Sequence, residues 1–140
     1  MGKEIIIVTI SLGNDGAERI LTELARQWHH DGHEITVIQT SPNRYGTEYA
    51  LPEGIEQIQI HTTSSNKILR FLQEIKALIG ILKQRPNATC LSFLSASSFI
   101  LAISSWFVKN RMVFSERNNP RKVPVGKHQQ MLRDFAFRFA

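Results

Sequence analysis

Ile5-Ile6-Ile7-Val8-Thr9-Ile10, then Ser11-Leu12-Gly13-Asn14-Asp15-Gly16, then Ala17-Glu18-Arg19 is the stretch that decides the fold. An aliphatic run of this length reads as a strand buried on both faces, the glycine-containing segment as a tight loop, and the last three residues as a first helical turn. Open α/β proteins place ligands at such a junction. The loop lies at the carboxyl end of a strand, and the helix points its free N–H groups into the crevice.

Working outward, Ala17, Ile20, Leu21, Leu24, Ala25 and Trp28 recur at helical spacing, with Glu18, Arg19, Glu23, Arg26 and Gln27 largely opposite. Asp15 and Glu18 have the spacing of a capping box, and Gly32 is placed to end the helix. A second strand is predicted over Glu34–Gln39, followed by a turn-forming loop, Thr40–Gly46. Ile55–Ile60 alternates and reads as a third strand, at the sheet edge. Asn66 can cap a second helix whose stripe Ile68, Leu72, Ile75, Ile79 and Leu82 is expected to be core, and Arg85-Pro86 ends it.

Ala88–Val108 carries no charge and is long enough for a transmembrane helix. Its six serines divide it instead into a strand, Thr89–Phe93, a polar turn, and a buried helix holding Phe99, Ile100, Ala102, Ile103, Trp106 and Phe107. Met112-Val113-Phe114 gives a fifth strand, running into Ser115–Pro120. A last amphipathic segment is expected over Gln130–Phe139. These elements predict a three-layer α/β domain: an open, mainly parallel sheet of order 3-2-1-4-5 with helices on both faces. Strand one is then central. The loops Leu12–Gly16, Phe93–Ser98 and Ser115–Pro120 converge on one crevice, with Ser95, Ser115 and Asn118 along it.

At 140 residues the chain is one domain by size, and 42% hydrophobic against 21% charged residues argues against disorder. The single cysteine, Cys90, cannot form an internal disulfide and reads as a core thiol. Glu4 interrupts any signal-peptide pattern, so the expected location is cytoplasmic. The net charge of +5 lies wholly in residues 111–140, which carry seven bases against two acids; residues 1–110 balance. Anionic lipid, a phosphate-bearing substrate, nucleic acid, or merely a solvated face would each account for that basic end.

Several chemistries are excluded. Gly13-Asn14-Asp15-Gly16 lacks the Gly-x-Gly-x-x-Gly spacing of a dinucleotide site, and Gln39 stands where an acidic residue should end strand two. No Gly-Lys-Ser/Thr forms a P-loop, no Gly-x-Ser-x-Gly frames a nucleophilic serine, and the five histidines lack metal spacing. What remains is a glycine loop suited to a diphosphate, through Gly13, Asn14 and Gly16. Across the crevice lies Ser115-Glu116-Arg117-Asn118. Arg117 can make paired hydrogen bonds to phosphate or carboxylate, and Glu116 can orient a hydroxyl or take a proton. A turn closed by a local Glu116–Arg117 pair explains the same residues equally well.

Two separated motifs carry a family resemblance. Ser11–Arg19 followed by Leu24-Ala25 and Asp31-Gly32-His33-Glu34-Ile35-Thr36-Val37-Ile38 is similar to the amino-terminal segment of GT-B glycosyltransferases of family 4. Leu91-Ser92-Phe93-Leu94 with Val113-Phe114-Ser115-Glu116-Arg117-Asn118-Asn119-Pro120 resembles the Ser-Glu-Arg-Asn-Asp-Pro signature of that group. The resemblance spans most of residues 3–120. It implies half of a GT-B fold, one of two Rossmann-like domains that together move a sugar from a nucleotide donor to an acceptor with retention of configuration. It further implies a UDP- or GDP-sugar as donor, a glycan or lipid-linked acceptor, and neither a metal nor a nucleic-acid partner. Glu116 and Arg117 would then act in catalysis, and Gly13, Asn14 and Gly16 at the donor phosphates.

Two residues depart from the family pattern: Asp15 replaces the first glycine of Gly-Gly-Ala-Glu-Arg, and Asn119 replaces an aspartate. Residues 1–140 are expected to form a single domain cut before the donor-binding carboxyl-terminal domain, and to be inactive alone. The basic residues 121–139 would rest on anionic membrane at its inner face. A non-catalytic binding module with a flavodoxin-like sheet is the alternative.

Overall fold

The computed structural model describes residues 2–10, 12, 16–40, 50–93 and 95–115, together with Lys127, Met131 and Arg138; the side chains of Ala17, Ser95 and Ala96 lie outside that description. Its elements are β1 (Glu4–Thr9), α1 (Gly16–His30), β2 (Glu34–Gln39), β3 (Glu56–Gln59), α2 (Lys67–Lys83), β4 (Thr89–Phe93), α3 (Ser95–Ser104) and β5 (Arg111–Ser115). All four strand pairings are parallel, and the order is β3-β2-β1-β4-β5. The expected sheet is therefore the one observed, and it differs from the 2-1-3-4-5 order of flavodoxin-like sheets.

The period of two along each strand divides the core. Ile7, Ile35, Val37, Leu91 and Phe93 face one side, where Leu21 and Ala25 of α1 cover them. Ile6, Val8, Ile38 and Cys90 face the other, against Leu78 and Leu82 of α2 and Leu101 of α3. One helix thus lies on one face of the sheet and two on the other.

The helix ends follow local chemistry. Gly32 has φ +91°, and the bonds Gly32 N–H to His29 carbonyl and His33 N–H to Trp28 carbonyl close α1 in a Schellman turn. Asn66 caps α2, its side chain accepting from the N–H groups of Ile68 and Leu69. In α3, Ser104 Oγ donates to the Ile100 carbonyl, which lets a serine be buried in an apolar helix.

Three expectations about side chains fail. Ile20 is exposed and Glu18 buried, so α1 is turned relative to the face read from its spacing. Ile68 and Leu72 of the expected core stripe are exposed: α2 meets the core through Ile75, Leu78 and Leu82, with Phe71, Ala77, Ile79 and Ile81 packed against it. Trp106 and Phe107 lie beyond the end of α3 and are exposed rather than part of a buried helix. No described helix is long and apolar enough to cross a membrane. Asp15, expected to cap α1, the loop residues 41–46 and most of the segment 130–139 lie outside the described residues.

Candidate functional site

The sheet has two unlike ends. At the amino end, Arg85 ties three elements together: Nη1 donates to Thr36 Oγ1 at 2.6 Å, Nη2 pairs with Glu56 Oε2 at 2.5 Å, and Glu4 Oε1 lies 3.7 Å away. Asn110 Nδ2 donates to the carbonyls of Arg85 and Ala88. These contacts join β1, β2 and the start of β3 to the helix-to-strand connections before β4 and β5. They are structural in kind.

The carboxyl end is arranged differently. β1 and β4 are neighbours there, with Val8 opposite Ser92, while β2 leaves β1 on its other side. The chain thus reverses its winding between β1 and β4, the position at which open α/β sheets form a ligand crevice. Both α1 and α3 begin at this end, and helix starts present unpaired N–H groups. Ser92 Oγ and Ser98 Oγ share a hydrogen bond of 2.8 Å beneath the start of α3, and Ser97 Oγ donates to the Phe93 carbonyl.

Polar side chains are also buried beside α1. Thr9 and Gln39 stand opposite each other in register, at the last positions of β1 and β2. Strand alternation puts them on the α1 side, following Ile5 and Ile7 in one strand and Ile35 and Val37 in the other. On α1, Glu18 and Thr22 are buried one turn apart, and Thr22 Oγ1 donates to the Glu18 carbonyl at 2.8 Å. Gln39 is fully buried, yet neither its amide oxygen nor its nitrogen has a hydrogen-bond partner among the described residues; the same holds for Thr40 Oγ1. Each unpaired buried polar group costs about 1–3 kcal/mol.

Of the residues singled out in the sequence, Gly16 opens α1 and is exposed. A Cβ built on it meets no described atom within 4 Å, so neither packing nor a left-handed backbone calls for glycine there. Ser115 ends β5 opposite Phe93 rather than opening a loop, and Ser95 begins α3 two residues beyond Phe93. The structure therefore brings the ends of β4 and β5 and the start of α3 together. Gly13, Asn14, Glu116, Arg117 and Asn118 lie outside the described residues.

Sequence reading missed Gln39 as an inward-facing group and took it only as a missing acid. The alternation Ile35, Val37, Gln39 is the signal that places it inside. Glu18 was missed because helical spacing set it opposite the apolar face. Cys90 is a core thiol: burial, and secondarily the Glu4 carboxylate, push its pKa up to about 12. Among the described residues, no three His, Cys, Asp or Glu side chains gather as a metal site requires.

No protein-family model matches the sequence, and no curated protein matches it. A solved structure does: the crystal structure of a glycosyltransferase from Rickettsia africae ESF-5 is similar with a TM-score of 0.58 at 16% identity, covering 81% of this chain and 30% of that one. The chain spans about 30% of that protein's length, and at this identity the likeness is one of fold. Five parallel strands in the order β3-β2-β1-β4-β5, with helices on both faces, thus form an α/β fold shared with part of a glycosyltransferase.

Proposed function

We propose that this chain is the acceptor-side, amino-terminal domain of a retaining GT-B glycosyltransferase of family 4. It would act with a nucleotide sugar such as a UDP- or GDP-sugar and a glycan or lipid-linked acceptor, at the cytoplasmic side of a membrane. The nucleotide would be held mainly by a second domain. The observation that carries this reading is the carboxyl end of the sheet. Two helix starts, an unconstrained Gly16 and the unpaired Gln39 and Thr40 meet there beside the switch between β1 and β4.

On this reading the start of α1, through Gly13, Asn14 and Gly16, faces the donor diphosphate when the cleft closes. The helix dipole favours negative charge at that point, and glycine lets the backbone come close. The acceptor lies over the ends of β4 and β5, beside Ser95, Ser115 and Asn118. Arg117 provides a planar pair of donors for an anionic group, and Glu116 orients or deprotonates the attacking hydroxyl.

Calorimetry with UDP- and GDP-sugars, with polyprenyl-phosphate-linked sugars and with flavin mononucleotide tests this. The expected result is measurable acceptor binding, weak donor binding and no flavin binding. Tight flavin binding without acceptor binding would replace the proposal by a non-catalytic binding module.

A further inference from the structure

The first two turns of α2 expose an apolar surface. Ile68 is 71% exposed, and Leu69 and Leu72 are each 53% exposed. Fraying does not explain this. Asn66 caps the helix through two N–H groups, and Thr63 is bonded twice to Gln73, by its N–H to Oε1 and by its Oγ1 from Nε2. The end of the helix is held in place with its aliphatic side chains outward.

The charges on α2 are all of one sign where they reach solvent. Lys67, Arg70, Lys76 and Lys83 are exposed, while the helix's one acid, Glu74, is buried. Lys76 follows Leu72 by four residues and Lys83 lies seven further on, so the exposed face is aliphatic at its amino end and basic beyond. The connection from β3, residues 61–66, adds no acid. Position matters as well. In a parallel sheet the helix after β3 starts at the carboxyl ends of the strands. Phe71 also stacks on Phe99 of α3 with ring centroids 5.6 Å apart, which sets this surface beside the start of α3.

We infer that the amino-terminal half of α2 docks the domain on an anionic bilayer, with Ile68, Leu69 and Leu72 inserted at the headgroup boundary. The exposed bases of α2 then lie against the lipid phosphates. A bilayer of this kind satisfies both halves of the surface: the interface takes up the aliphatic side chains, and its negative potential draws bases on the same face. A protein partner would have to supply acidic groups around an apolar spot. The docked end of α2 is the end nearest the carboxyl ends of the strands. Docking by α2 is independent of the glycosyl-transfer reading, and its failure leaves that reading intact.

Co-sedimentation of the full chain with vesicles tests it, comparing phosphatidylcholine alone with equimolar phosphatidylcholine and phosphatidylglycerol. Binding is expected only to the anionic vesicles, weakening with added salt. The double variant Ile68→Ser/Leu72→Ser, exposed at both sites and expected to keep its circular dichroism, should bind roughly tenfold more weakly. Lys76→Glu should weaken binding about fivefold or more. Leu69→Trp should shift its emission to the blue on adding anionic vesicles. The inference is overturned by absence of binding, by indifference to anionic lipid, or by undiminished binding of the double variant, as docking through residues 121–139 would give. A dimer in sedimentation velocity that the double variant dissociates would also overturn it, assigning the surface to a second copy of the chain.

Discussion

The two ends of the sheet spend their polar groups in opposite ways. At the amino end, Arg85 engages Thr36, Glu56 and Glu4 and Asn110 holds two carbonyls, while Asn110 Oδ1 and His29 Nδ1 are left without a partner among the described residues. At the carboxyl end, Gln39 carries two unpaired atoms and Thr40 a third, all buried beside helix starts. Both ends are made by the same five strands. The amino end is cross-linked through Arg85 and Asn110, whereas the unpaired atoms of the carboxyl end gather on two consecutive residues, Gln39 and Thr40. Proteins tolerate such unpaired groups where a ligand completes them.

The largest effect should come from breaking the amino end. Arg85→Ala leaves Glu4, Thr36 and Glu56 without their shared donor and should destabilise the fold by about 3 kcal/mol in urea denaturation, with ligand binding per folded molecule unchanged. The opposite sign is expected at the carboxyl end. Gln39→Met removes two unpaired polar atoms at nearly constant volume, and should stabilise by about 1–2 kcal/mol while weakening acceptor or donor binding. A loss of stability there would mean that Gln39 is already satisfied in the fold.

A third prediction concerns Cys90, which lies in the core behind Glu4. Its folded pKa is raised, so its protonated form is favoured by folding. The associated stability is whole below the unfolded value of 9.0 and lost as pH rises toward about 12. Near pH 10 the wild type should have lost about 1.4 kcal/mol relative to neutral pH beyond the loss seen in Cys90→Ala. Equal alkaline slopes in the two proteins would contradict the buried, protonated thiol. The smallest effect on stability, a few tenths of a kcal/mol and favourable, is expected for Gly16→Ala, since the added Cβ meets open space. The same change should weaken donor binding, so that stability and function separate at one atom.

The topology could be read from the sequence because the strands announce themselves: continuous aliphatics for the central β1, an uncharged run ending at a cluster of serines for β4, alternation for the edge strand β3, and Gly32 and Asn66 at helix boundaries. β2 and β4 fall on their expected residues, and β3 is one residue shorter at each end than its alternation suggested. Side-chain environment was harder to read. A helical stripe records which residues share a face, and not how far along the helix that face meets the core. Ile68 and Leu72 therefore looked like Ile75 and Leu82, yet in the first turns of α2 it is Phe71 that turns to the core. Glu18 looked solvated because its burial depends on where α1 starts relative to β2. Of the candidate site, Gly16, Ser95 and Ser115 are placed at the carboxyl end as the strand order requires. Gln39 emerged only with burial in hand, because a lone glutamine at a strand end has no chemical signature of its own.

On the proposed function, ligands bind at the carboxyl end of the sheet. Backbone amide shifts of the isotopically labelled chain, followed during titration with a polyprenyl-phosphate-linked sugar and then a nucleotide sugar, test it most directly. Perturbations are expected at Gly16–Glu18, Gln39–Thr40, Ser95–Ser98 and Ser115, with Lys3, Arg85 and Asn110 unmoved. Perturbations centred on Arg85, or none at saturating concentrations of either ligand, would contradict it.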